Sequence, residues 1–295
     1  MPPCFRNAGT AEARRAKSRT TRVALCAMSA VAAFYSPMCV TGARADEYSL
    51  SLHHDGDEHG LHFSHPLIAE SPTPDTKIRL DYFYANTSGE MSGNLHTARL
   101  EGEYAFSRSL SVEIDAPFSV FRPDGGPTFA NTDNVDIALK YANFTFEKHG
   151  VVLGGGLEFG LPTGDDARGI GSNNVLEISP FLDAGLKVDR FEFVAFATFS
   201  APLNDRGGEN TDLELGWNFS TLYHFNERIE GILELDGVEV FGGERDGTTI
   251  VNLTPGVKVA PFKSHKFKVG LGVSVPLTSD QEFHTMTVLS LFRHF

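Results

Sequence analysis

The sequence predicts an all-β chain folded as one antiparallel up-and-down transmembrane β-barrel of about 12 strands. Three observations predict it. From Lys77 onward, apolar and polar residues alternate with a period of two in successive runs of strand length. The connections between those runs alternate between short and long. A basic, then apolar, then small-residue leader stands before them.

The leader sets the compartment. Arg14, Arg15, Lys17, Arg19 and Arg22 form a basic region ahead of a short apolar core at 23–35. That core is too short to span a bilayer. Ala43-Arg44-Ala45 then offers a small-residue cleavage site. Residues 1–45 therefore read as a Sec-type signal peptide, with export toward the cell outer membrane. The three cysteines, Cys4, Cys26 and Cys39, all precede the cleavage site. An exported chain without thiols needs another source of constraint, which a closed hydrogen-bond ladder supplies. The formal net charge of −13 argues against nucleic acid as a partner.

Residues 46–76 read as a His-rich periplasmic segment, extended by Pro66, Pro72 and Pro74 and lacking periodicity. His53, His54, Asp55, Asp57, His59, His62 and His65 are the candidate metal ligands, with Glu58 among them. Such donors can hold Zn²⁺, Cu²⁺ or Ni²⁺. Their spacing matches no closed structural site, so a polar tail with incidental metal affinity stands beside that reading. No other cofactor is expected. The segment lies just before the first strand, where it can plug a barrel.

Residues 77–295 carry the strands. Ile78, Leu80, Tyr82 and Tyr84 alternate with Lys77, Arg79, Asp81 and Phe83. The next runs set Leu100, Tyr104 and Phe106 against Arg99, Glu101 and Glu103, then Val112, Ile114 and Phe118 against Glu113 and Asp115. Similar runs continue at 135–146, 151–161, 175–186, 191–201, 211–224, 229–240, 248–261, 267–275 and 284–295. Tight turns are expected near 107–109, 147–150, 188–190, 226–228 and 263–266, and longer loops elsewhere. Short turns at one end and long loops at the other characterise an up-and-down barrel. A soluble sandwich has no reason to keep one end tight throughout.

One face carries Leu, Val, Ile and aromatics, with Tyr82, Tyr84, Phe106, Phe118, Tyr141, Phe159, Phe191, Trp217 and Tyr223 near strand ends. Aromatic girdles occupy such positions at membrane interfaces. The other face carries Glu101, Glu103, Glu113, Asp115, Glu158, Glu177, Asp212, Glu214 and Glu234, the candidate lumen residues. Fewer bases, among them Arg79, Arg99, Lys140, Lys258 and Lys268, join them. So many charges require a wet or networked lumen, or the solvent face of a soluble sandwich. A narrow or partly plugged lumen with acidic excess is expected. The last run, 284–295, ends on Phe295, as the closing strand of an outer-membrane barrel does.

No catalytic spacing emerges. G-x-S-x-G is absent, and His96, His149, His224, His265 and His284 are scattered near strand ends. An enzyme is not expected. Gly154-Gly155-Gly156 reads as a strand bend or a place for a bulky neighbour.

Residues Gly155-Gly156-Leu157-Glu158-Phe159-Gly160-Leu161-Pro162-Thr163-Gly164-Asp165, a Gly/Asn loop, and then Ile178-Ser179-Pro180-Phe181-Leu182 resemble the MetA-pathway phenol-degradation outer-membrane family. The resemblance covers about the central third of the chain. It implies passage of small, often aromatic or hydrophobic, molecules across the outer membrane. The expected function is thus passive transport of a small solute by a monomer. Its partners would be outer-membrane lipid, the barrel-assembly machinery and the solute. The alternative is a metal-binding or metal-sensing outer-membrane protein that uses the His-rich segment.

Overall fold

The structure is a computed structural model and describes residues 61–89, 92–168, 170–204, 213–243 and 245–295. The leader at 1–45 and the histidines before residue 60 lie outside those residues. In chain order the strands are β1 (Lys77–Thr87), β2 (Gly93–Ser107), β3 (Leu110–Pro123), β4 (Phe129–Thr132), β5 (Val135–Phe146), β6 (Val151–Leu161) and β7 (Glu177–Val188). Then come β8 (Phe191–Pro202), β9 (Leu213–Asn226), β10 (Ile229–Phe241), β11 (Thr249–Val259), β12 (Phe267–Pro276) and β13 (Phe283–His294).

Each strand pairs antiparallel with its neighbours, and β1 pairs with both β2 and β13. The sheet therefore closes into a barrel of twelve staves. The thirteenth strand, β4, is a short extension that pairs only with the upper part of β3, Phe118–Phe121. It arises inside a predicted long loop, with Phe129 and Asn131 on its less exposed face. Two of the mid-strand prolines leave local gaps. The β7–β8 ladder skips from Ile178 to Phe181 around Pro180, and the β11–β12 ladder skips from Leu253 to Gly256 around Pro255. A proline has no N–H to give to a ladder.

The side-chain alternation decides what the barrel stands in. Arg79, Asp81, Glu101 and Glu234 are each 0% exposed, whereas Leu182 is 71% and Leu100 52% exposed. Ile78, Leu80, Ile114, Leu139, Phe193, Phe219, Leu233 and Leu271 continue the exposed apolar belt around the wall. A soluble sandwich would have the reverse polarity. Apolar surface on this scale is stable only against lipid. Near the long-loop end, Tyr82 and Tyr84 turn their hydroxyls to His96 Nδ1 (2.7 Å) and Asn94 Oδ1 (2.8 Å). Those outward polar groups explain why β2 begins several residues before its clear alternation. Phe295 faces outward with the Arg293 guanidinium over its ring, which accounts for a charge at an otherwise apolar outward position.

Candidate functional site: a lumen filled by the chain's own segment

Residues 61–76 lie inside the barrel. Their prolines prevent a helix or a paired strand, so their backbone groups need partners from the wall. Glu234 supplies most of them. Its carboxylate accepts hydrogen bonds from the N–H groups of Leu67 (2.6 Å), Ile68 (3.1 Å) and Ala69 (3.2 Å). Ser220 Oγ (3.0 Å) and Asn218 Nδ2 (3.4 Å) add two more donors. Among the described residues no Lys or Arg comes within ion-pair range of Glu234. A fully buried carboxylate is thus satisfied chiefly by the plug itself. Further along, Glu192 accepts from Ser64 N (2.7 Å) and Glu230 from Ser64 Oγ (2.7 Å). Lys258 donates to His65 O (2.5 Å), and Arg79 donates to Leu67 O.

Two apolar side chains key the segment into the wall. Leu67 sits where a Cβ on Gly256, Gly270 or Gly272 would approach it to 2.5, 2.4 and 2.8 Å. Phe63 sits against Gly185, where a Cβ would come within 2.6 Å of its ring. Both are 0% exposed. Their burial contributes about 1.5–3 kcal/mol each. Wall glycines here are sockets.

The other side of the lumen is an ion-pair network. Lys77 Nζ lies 2.8 Å from Glu103, 3.2 Å from Glu70 and 3.4 Å from Glu113. It also stands 2.5 Å from Glu101, as an ion pair without hydrogen-bond alignment. Arg79 binds Asp81 (2.8 Å), and Arg99 binds Asp81 (2.7 Å) and faces Asp115 (3.7 Å). Lys140 lies between Glu103 (3.4 Å) and Glu113 (3.6 Å). Glu70 is the plug's member of this set. Burial alone would raise its carboxyl, but Lys77, Lys140 and Arg79 outweigh that and hold it well below the ordinary carboxylate range.

On the long-loop side of the plug remains a cavity of about 290 Å³. Ile68, Ala69 and Glu70 form its floor. Glu113, Asp115 and Glu158 make one side acidic, with Arg99 the base among them. Phe181 and Phe196, their rings 5.4 Å apart, line another. Phe181 lies over Gly156, where a Cβ would fall 2.3 Å from its ring. This gives the last glycine of Gly154-Gly155-Gly156 its physical role.

Glu101, Glu103, Glu113, Asp115, Glu158, Glu177 and Glu234 point inward, and Glu214 pairs with Arg245 near the long loops. Asp212 lies outside the described residues, as do His53, His54, Asp55, Asp57 and His59. His62 and His65 are described, and both meet Asp75, beside His294. Sequence reasoning missed Asp75 and His294. A signal for His294 existed, since it is one step off the outward register set by Phe295 and therefore faces inward. Asp75 had none, because it falls in a stretch without periodicity.

No family model matches the sequence, and no curated protein matches it. Solved structures do match. An outer-membrane channel from Pseudomonas putida F1 superposes with a TM-score of 0.61 at 12% identity, covering 81% of this chain and 99% of that one. The NanC porin superposes with a TM-score of 0.51 at 9% identity, covering 75% and 98%. The chain has the fold of outer-membrane channels and porins.

Proposed function

We propose that this protein is an outer-membrane channel for passive passage of small solutes, held closed by its own residues 61–76. The observation that carries this reading is the dependence of buried Glu234 on the N–H groups of Leu67, Ile68 and Ala69. The wall has a polar site built to take a removable occupant. The acid- and phenylalanine-lined cavity supports a neutral or cationic aromatic solute, in keeping with the phenol-degradation resemblance, and works against anions.

Planar-bilayer recording tests the reading. Refolded protein should show low conductance. A form lacking residues 46–76 should show a larger, cation-selective one. Absence of conductance in both forms, from a barrel that still migrates anomalously without heating, would remove the channel reading.

A further inference from the structure

At the end of the barrel that carries the short turns, three imidazoles converge on one oxygen. Asp75 Oδ2 lies 2.6 Å from His294 Nδ1, 3.3 Å from His65 Nε2 and 3.4 Å from His62 Nε2. The same carboxylate is oriented through its other oxygen, which accepts a hydrogen bond from Thr76 N (2.7 Å). The donors come from separate parts of the chain. His62 and His65 belong to the plug, Asp75 stands just before β1, and His294 closes β13, where Lys77 and His294 are ladder partners. Backbone hydrogen bonds from His294 N to Lys266 O (2.8 Å) and from Phe295 N to Thr76 O (3.1 Å) fix the scaffold around them.

We propose that His62, His65, Asp75 and His294 form a zinc site that fastens the plug to the closing seam of the barrel. With zinc-ligand bonds of about 2.0–2.1 Å, two ligands of a tetrahedral ion stand roughly 3.3–3.4 Å apart. The His65–Asp75 and His62–Asp75 separations already have that length. The ligand atoms of His65, Asp75 and His294 lie within 4.8 Å of one another. His294 Nδ1 needs to retreat by about 0.7 Å from its hydrogen-bonding distance, and the exposed His62 ring needs to swing inward to become the fourth vertex. Three nitrogens, one carboxylate oxygen and no sulfur select Zn²⁺ among common tetrahedral ions.

A second observation concerns the far side of His65. This ring is 1% exposed, and its Nδ1 has no hydrogen-bond partner although Glu70 Oε2 lies only 3.8 Å away. If Nε2 carries the proton toward Asp75, Nδ1 is a bare acceptor facing a carboxylate. A metal on Nε2 moves the proton to Nδ1, from which closure of the 3.8 Å gap lets it donate to Glu70. That produces the carboxylate–histidine–metal relay typical of bound zinc. Four protein ligands leave no open position, so the site is structural rather than catalytic. The His62 side chain, 42% exposed, provides the route in from solvent.

The test uses the mature chain refolded in detergent, with His53, His54 and His59 changed together to Ala so that the earlier part of the 46–76 segment contributes no imidazole. After chelation, Co²⁺ is titrated and its visible absorption followed, then displaced by Zn²⁺. One equivalent with the intense bands of four-coordinate Co²⁺ is expected. His65→Ala and His294→Ala should each weaken binding by more than the roughly 10–100-fold that loss of an outer-shell partner costs, and Glu70→Gln by an amount within that range. Should His294→Ala fail to give a heat-modifiable barrel, His62→Ala at the exposed ring decides. Absence of a four-coordinate spectrum overturns the proposal. So does binding that is unchanged in these variants, or that appears only when His53, His54 and His59 are present. Conductance plays no part in the readout, so failure here is separable from failure of the channel reading.

Discussion

The two sides of the lumen hold their charges differently. Along β1–β5, Lys77, Arg79, Arg99 and Lys140 pair mainly with acids of the wall itself, and the plug joins through Glu70, the Leu67 carbonyl on Arg79 and the Asp75 N–H on Glu103. Along β8–β12, Glu234 turns chiefly to the plug's backbone. Glu192, Glu230 and Lys258 reach Ser64 and His65 while also pairing within the wall, Glu192 with Lys187 and His224 and Glu230 with Lys258 and Lys268. The first side would remain largely paired if the plug left. The second would be left with a buried carboxylate short of three donors. The first half of the wall is therefore held mainly by its own pairs, and Glu234 makes the other a receptor for residues 61–76. The glycine sockets for Leu67 and Phe63 lie in strands β7, β11 and β12, so the shape complementarity is also concentrated away from β1–β5.

The largest effect should come from Glu234→Ala. It strips partners from three buried N–H groups and should weaken plug docking by about 3–6 kcal/mol, read as lost hydrogen-exchange protection at Leu67–Ala69 with the barrel intact. Unchanged protection would break the comparison. Leu67→Ala empties the glycine socket and should cost about 2–4 kcal/mol of docking, followed by limited proteolysis of the segment. Gly270→Ala crowds the same socket and should cost about 1–3 kcal/mol. Combined with Leu67→Ala it should cost less than the sum, and strict additivity would show that the two do not share a contact. The smallest effect on docking should come from Arg99→Met on the other side. Plug protection should stay within about 0.5 kcal/mol, while the unpaired Asp115 shifts the reversal potential toward cations. A large loss of protection in this variant would mean that the two sides are not independent.

Much of the wall was readable from the chain. A strand turns successive side chains to opposite faces, so the alternation through Lys77–Thr87 already separates Ile78 and Leu80 from Arg79 and Asp81. Turn lengths then supply the topology, and the inward acids follow from parity. The additional strand β4 escaped because four residues are too few to show a period.

What the chain alone determined is this two-faced barrel, because period and turn length are local properties. What only the tertiary structure decided is how the inner face is used. Glu234 meets Leu67 across 167 residues of sequence, and Ser64 meets Glu192 across 128. No local pattern encodes such pairs. Residues 61–76 have no periodicity because their backbone groups find partners in scattered side chains of the wall rather than in a ladder. The three imidazoles around Asp75 Oδ2 come together only when β13 closes against β1.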